Sequence, residues 1–215
     1  SGAAGTLDLY TFTDGFDRKV QTRREAEDTA LQIVSNTFYN TSGKVSKETV
    51  PHFDTATTTY VTPPSGIKNV LTDYDVLDRV TKITNPDNTT KTITYDRWIV
   101  TNTNEKGNQT KQYFNAYDKI SKIDEINGTE TYTTNYIYNS KNDLTKITDA
   151  LNNITSQFTY DTLGRKTKQI DLDMGTWNYT YDAVGNLITQ IDNKNITITR
   201  IYDVLNRITK VDYPT

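Results

Sequence analysis

The chain has 215 residues, of which 34% are apolar, and a formal net charge of −3 with no cysteine. The apolar share lies well under the roughly 45–50% of ordinary globular chains, which excludes a thick two-layer core. Absent cysteine excludes a disulfide framework and thiolate zinc sites, and the mild negative charge with scattered Lys and Arg argues against nucleic acid as a partner. No apolar run approaches the roughly 18 residues of a membrane-spanning helix. Disorder is opposed by 15 tyrosines and by an abundance of Thr, Ile and Val, all strand formers. A thin, all-β sheet carried by aromatics fits best.

Ser1-Gly2-Ala3-Ala4-Gly5 reads as a cloning scar, and no signal peptide is visible. Thr13-Asp14-Gly15-Phe16-Asp17-Arg18 is the first copy of a six-residue motif, with Thr in the leading place. Arg23 to Asn36 has good helix propensity. Yet Leu31, Ile33, Thr37 and Tyr39 alternate into the next copy, Tyr39-Asn40-Thr41-Ser42-Gly43-Lys44, so strands are expected there. Divergent repeat units are thus assigned to residues 6–60. Residues 61–66, Val-Thr-Pro-Pro-Ser-Gly, break any strand and read as an insertion loop.

A regular array is expected over residues 67–215. Its first copy is Tyr74-Asp75-Val76-Leu77-Asp78-Arg79, followed by the β-branched run Val80-Thr81-Lys82-Ile83-Thr84 and a second turn at Asn85-Pro86-Asp87-Asn88. Ile93 and Tyr95 lead into Tyr95-Asp96-Arg97-Trp98, which keeps only two motif positions. Phe114-Asn115-Ala116-Tyr117-Asp118-Lys119 and Tyr138-Asn139-Ser140-Lys141-Asn142-Asp143 are weaker copies. The clean ones are Tyr160-Asp161-Thr162-Leu163-Gly164-Arg165, Tyr181-Asp182-Ala183-Val184-Gly185-Asn186 and Tyr202-Asp203-Val204-Leu205-Asn206-Arg207, spaced by 21 residues. Such self-similarity is the signature of a repeat array. Asp or Asn after the tyrosine starts a turn by bonding its side chain to the backbone two residues on. Gly, Asp or Asn in fifth place supplies a left-handed backbone. The apolar fourth residue is expected to tuck beneath the turn. Trp177, Tyr179 and Tyr181 share one strand face, as do Ile196, Ile198 and Tyr202. One unit is therefore two strands and two turns, and stacked units predict a cross-strand ladder of tyrosine rings.

These residues resemble the YD-repeat, or Rhs-repeat, family, whose motif is Tyr-Asp-x-x-Gly-Arg-x-x; the resemblance runs from about Leu7 to the end. It implies an array of antiparallel hairpins in a curved, spiralling sheet that forms part of a shell. Relatives use such shells to enclose a C-terminal toxin, to display adhesion surfaces or to join cells. It further implies a secreted or cell-surface location, and as partner the remainder of the parent chain with its further repeats and cargo domain. Toxin-bearing members close the shell with an Asp-Pro-containing self-cleavage region. No Asp-Pro pair exists here, so no catalytic residue carries over.

Enzymatic constellations are sparse. His52 is the single histidine, in Val50-Pro51-His52-Phe53, with no nucleophile motif beside it. Asp171 and Asp173 lie two apart, but lack the oxygen-rich loop of a calcium motif, so neither metal nor cofactor is expected. Asn-x-Ser/Thr sequons begin at Asn40, Asn88, Asn108, Asn127, Asn153, Asn178 and Asn195, against about four or five that this composition gives by chance. Trp98 and Trp177 are the candidate platforms for stacking a sugar, which makes a carbohydrate- or cell-binding module the rival to a structural shell segment. Within the motif the structural positions are Tyr74, Asp75, Arg79, Tyr138, Tyr160, Asp161, Gly164, Arg165, Tyr181, Asp182, Gly185, Tyr202, Asp203 and Arg207.

Overall fold

A computed structural model describes residues 8–213, so the Ser1–Gly5 reading lies outside the described residues. Nineteen strands and no helix occur among them, and every described strand pairing is antiparallel. The chain divides into two compact units, one running to Thr94 together with Asn102–Asn108, the other comprising Tyr95–Thr101 and everything from Gln109.

In the first unit, β1 (Leu9–Thr13) pairs with β2 (Lys19–Glu25), and β2 with β3 (Leu31–Tyr39). The stretch with helix propensity is thus two strands joined at residues 26–30. β3 is a branch point. Its N-terminal half, Leu31 to Val34, pairs with β5 (His52–Thr55), while Thr37 to Tyr39 pair with β4 (Val45–Thr49). β4 continues to β6 (Asn69–Tyr74), β7 (Val80–Thr84) and β8 (Thr90–Asp96). The strand-free segment between β5 and β6 covers residues 56–68 and so extends beyond the Pro-Pro turn.

At the branch the buried residues are polar. Gln21, Arg23, Gln32, Asn36 and Thr49 are buried together with Val34, the one buried hydrophobic residue among those described. Arg23, with no exposed surface, donates from Nε to Gln21 Oε1 (3.0 Å) and from Nη1 to Gln32 Oε1 (3.2 Å) and to the Thr55 carbonyl (3.1 Å). Its Nη2 is paired with Asp54 Oδ2. Buried charge is tolerated only when its donors are satisfied in this way. Gln21 donates to Asn36 Oδ1 (2.6 Å) and to the Val61 carbonyl (2.7 Å), and Gln32 Oε1 accepts the Thr57 amide (3.1 Å). The strand-free segment is thereby pinned at Thr57 and Val61, and Tyr60 packs edge-on against Phe12 at 6.1 Å. Alternation of Leu31, Ile33, Thr37 and Tyr39 does place these four on one face, but the opposite face, Gln32, Val34 and Asn36, is the buried one.

The second unit is a plain meander in which each strand pairs with the next. It runs β10 (Gln109–Phe114), β11 (Ile120–Asn127), β12 (Glu130–Tyr138), β13 (Leu144–Asp149), β14 (Ile154–Tyr160), β15 (Lys166–Asp171), β16 (Gly175–Tyr181), β17 (Leu187–Ile191), β18 (Thr197–Tyr202) and β19 (Ile208–Asp212). β9 (Ile99–Thr103) precedes it and contributes residues to both units. In such a meander alternate turns fall on opposite edges. The motif turns 115–119, 139–143, 161–165, 182–186 and 203–207 therefore share one edge of this unit.

The fifth motif residue is left-handed throughout: Asp17, Asp78, Asp118, Asn142 and Asn206 have φ of 58–64°, Gly43 and Gly164 have 78° and 79°, and Gly185 has 101°. Gly164→Asn should cost little and Gly164→Val roughly 1–2 kcal/mol, because a Cβ in this region meets the following carbonyl. At Gly185, whose φ lies beyond the range Asn and Asp occupy elsewhere, even Asn is expected to be measurably destabilising. Urea midpoints for the three variants, with hydrogen exchange in the Gly185 variant rising first around residues 181–188, check both points; equal midpoints for Gly164→Val and the parent would contradict them.

Candidate functional site

The repeated turn is built the same way in each copy. In the Asp75 turn the Asp75 amide donates to the Arg79 carbonyl (2.9 Å) and the Asp78 amide to the Asp75 carbonyl (3.0 Å). Asp75 Oδ1 accepts the amides of Leu77 (2.9 Å) and Arg79 (3.0 Å), and Oδ2 accepts Arg79 Nε (2.8 Å). Asp14 with Arg18, Asp161 with Arg165 and Asp203 with Arg207 repeat this clasp. In the Asp182 turn, whose sixth residue is Asn, a carboxamide does the same work: Asn186 Nδ2 donates to Asp182 Oδ2 at 2.8 Å. Adjacent turns are tied along the edge, Arg165 Nη1 donating to the Asp182 carbonyl (3.0 Å) and Lys141 Nζ to the Thr162 carbonyl (2.7 Å).

The tyrosine links one unit to the one before it. Its hydroxyl donates to the backbone carbonyl of the residue just after the previous motif: Tyr39 to Lys19 (2.9 Å), Tyr74 to Val45 (2.8 Å), Tyr138 to Ile120 (2.8 Å), Tyr160 to Leu144 (2.8 Å), Tyr181 to Lys166 (2.9 Å) and Tyr202 to Leu187 (3.0 Å). The expected ring-on-ring ladder is replaced by this bond and by cations over the rings. Arg18 lies 4.4 Å from the Tyr39 centroid and Arg165 lies 4.9 Å from that of Tyr181. Rings one unit apart are two strands apart, about 9.6 Å, too far to stack but within reach of a long cationic side chain.

Two features went unrecognised in the sequence. Each motif tyrosine, or the Phe or Thr in its place, sits at a register shift in its hairpin. A bulge leaves a carbonyl without its ladder partner. The residue two beyond the turn supplies a hydroxyl to that carbonyl: Ser121 to Tyr113 (3.1 Å), Thr145 to Ile137 (3.0 Å), Thr167 to Thr159 (3.2 Å) and Thr209 to Ile201 (3.1 Å). The signal was present as Ser or Thr in eighth place at residues 46, 81, 121, 145, 167 and 209. The same turn is also reused between motif copies, at 85–89 and 104–108 in the first unit and at 149–153 and 192–196 in the second, with left-handed Asn88, Gly107, Asn152 and Asn195.

The fourth motif residue does not tuck beneath the turn. Leu77, Leu163, Val184 and Leu205 are exposed by 67–73%, because the space under the turn is filled by the Asp carboxylate and the amides it accepts.

Of the stacking candidates, Trp98 is 55% exposed in the shortened turn before β9, and its carbonyl accepts the Phe114 amide at 2.7 Å. Trp177 is half-buried on β16, with its indole N–H donating to the Met174 carbonyl at 3.2 Å. Seven strands, β9 and the first six of the meander, lie between them in the chain, so they form no joint platform. His52 Nδ1 lies 3.1 Å from the Val50 carbonyl. Asp171 is occupied as a turn cap, accepting Ser156 Oγ (2.7 Å) and the amides of Asp173 (3.0 Å) and Met174 (3.1 Å). Among the described residues no group of three or more His, Cys, Asp or Glu is placed to hold a metal, and no helix is long and apolar enough to cross a membrane. A groove of about 810 Å³ runs between the turns at Asn85–Thr89 and Asn104–Asn108, which are tied by Asn85 Nδ2 donating to Glu105 Oε1 (3.0 Å).

Residues 138–173 and 178–215 match the RHS repeat family. No curated protein matches the sequence. Solved structures match it closely in fold. A crystal structure of TcdB2-TccC3 with Cdc42 superposes with a TM-score of 0.81 at 17% identity, over 97% of this chain and 12% of the other. TcdB2-TccC3 alone gives 0.81 at 17% identity over 97% and 13%. The Tc holotoxin pore of Photorhabdus luminescens gives 0.76 at 16% identity over 97% and 12%. The chain thus spans about an eighth of the structures it matches.

The clasps set a pH response. Hydrogen bonds from Arg18 and Arg79 hold Asp14 and Asp75 below the ordinary 3.8, backbone and side-chain bonds from Arg165 and Arg207 do so for Asp161 and Asp203, and burial raises Tyr138, Tyr160 and Tyr181 above 10.0. A lowered carboxylate contributes stability that is present above its unfolded value and lost as pH falls through the folded one. A raised phenol contributes stability that is present below 10.0 and lost as pH climbs through its folded value. The melting temperature should therefore be flat between about pH 5 and 9 and fall on both sides. Asp161→Asn should shrink the acid limb, and Tyr181→Phe should shrink the alkaline limb while costing about 1 kcal/mol at neutral pH. Limbs unchanged in both variants would contradict the assignment.

Proposed function

We propose that this chain, whose residues 138–173 and 178–215 are RHS repeats, is a non-enzymatic wall segment of a larger secreted or cell-surface protein, of the kind that encloses a downstream cargo. The reading is carried by one observation: the same tyrosine-to-carbonyl link recurs in six units, so the leading residue of the motif is spent on joining one unit to the next. A catalytic residue is usually unique in a chain, whereas a wall needs the same joint many times. The likeness to Tc toxin structures over 97% of the chain supports it. On this reading residues 6–60 are divergent units, 61–66 an insertion and 67–215 the regular array. The partner is the rest of the parent polypeptide. Trp98, exposed in a turn where the motif degenerates, keeps a second reading in play, a glycan-binding surface displayed on the same wall.

Limited proteolysis of the parent polypeptide tests the first reading. Segments downstream of the repeats should be protected, and deleting residues 67–215 should expose them. Equal digestion with and without the deletion would contradict it, as would turnover in an ester, peptide or glycoside screen that is lost on mutating His52. Glycan-array binding abolished by Trp98→Ala would establish the second reading.

A further inference from the structure

The Asn or Asp that opens most turns here is engaged through its side chain, as at Asn40, Asn104, Asn115 and Asp149, whereas Asn127 is not. Asn127 ends β11, and Gly128 and Thr129 form the two-residue connection to β12, with Asn127 facing Glu130 as the last rung of the ladder. Asn127, Gly128 and Thr129 are all exposed. Gly128 has φ +62°, and no atom lies within 4 Å of where a side chain would begin. In contrast to Asn139, whose Oδ1 accepts two amides (2.8 and 3.0 Å) and whose Nδ2 donates to Asp143 Oδ2 (3.0 Å), the Asn127 carboxamide has no bonded partner among the described residues. Nor does Asp14-Gly15, the chain's one Asp-Gly pair, share this freedom: both carboxylate oxygens of Asp14 are taken up by Phe16 and Arg18.

We infer that Asn127-Gly128 is a site of spontaneous covalent modification, deamidation through a cyclic imide. Hydroxide removes the proton from the Gly128 amide nitrogen, which attacks Asn127 Cγ. The Cγ–Nδ2 bond breaks and ammonia leaves, closing a five-membered ring. Water then adds to one of the two ring carbonyls. Opening at one gives aspartate; opening at the other gives isoaspartate, with the chain rerouted through the side-chain carbon. The net change is one water consumed and one ammonia released, with no oxidation. Glycine is what permits the attack, since no side chain crowds its nitrogen and its backbone is unrestricted. The end position of Asn127 matters as well, because a terminal rung frays more readily than the ladder interior. Each event adds a negative charge to a chain of net charge −3, and the isoaspartate product lengthens the backbone between β11 and β12.

The intact chain incubated at 37 °C, at pH 7.4 and pH 9, followed by peptide mapping with isoaspartate detection, tests this. Asn127 should convert first, faster at pH 9, to a mixture of aspartate and isoaspartate, while Asn40, Asn139 and Asp14 stay unchanged over the same period. Gly128→Ser should slow the conversion several-fold, with circular dichroism reporting that variant's fold. Conversion led by another residue, or none at Asn127 while the urea-unfolded chain converts there, would overturn the inference.

Discussion

Everything in this chain rests on one bond, the tyrosine hydroxyl donated to a backbone carbonyl of the preceding unit. A single-layer sheet has no opposite layer to pack against, so the ladder bonds that pair each hairpin with the next carry the load with whatever side chains span two strands. The tyrosine is that side chain. Its ring is half-buried against the sheet, and its hydroxyl meets a carbonyl at 2.8–3.0 Å in six units. The bulge at the tyrosine turns the ring toward its target, the eighth-position hydroxyl satisfies the carbonyl that the bulge leaves open, and the Asp clasp holds the turn from which both follow. The motif is thus one device whose parts depend on each other.

The first unit solves a different problem. At β3 the strand leaves one pairing partner for another, and the break exposes polar backbone that repeats elsewhere cover by regular pairing. Arg23 fills the break, with Gln21, Gln32 and Asp54 satisfying its donors and the 56–61 segment drawn over it. An apolar core would cover the same space but leave the Thr55 and Val61 carbonyls without partners. Polar burial here follows from the branch in the ladder.

Much of this was legible. The 21-residue spacing, the left-handed fifth position and the Asp side-chain turn could be read directly, because each is a local demand of backbone geometry on residue type. So could the strands at residues 23–36, where register outweighed helix propensity. The ladder of rings was misread because alternation tells which residues share a face but not how far apart the units stand. Leu77 and Leu163 were misplaced because an apolar residue in a turn was taken for a buried one, when the carboxylate already occupied that space. The Arg23 cluster was invisible because the partners of Arg23 come from three strands, β2, β3 and β5, and no spacing rule connects residue 23 to residues 32, 54 and 55.

The central claim is that the tyrosine hydroxyls couple the units. Replacing Tyr138, Tyr160, Tyr181 and Tyr202 together by Phe keeps every ring and removes only the hydroxyls, and native-state hydrogen exchange in graded urea then reads the coupling unit by unit. The parent should open residues 109–213 with a shared free energy, whereas the quadruple variant should open them in separate steps, beginning at β19. A quadruple variant that still opens as one block, with the parent's midpoint, would contradict the account.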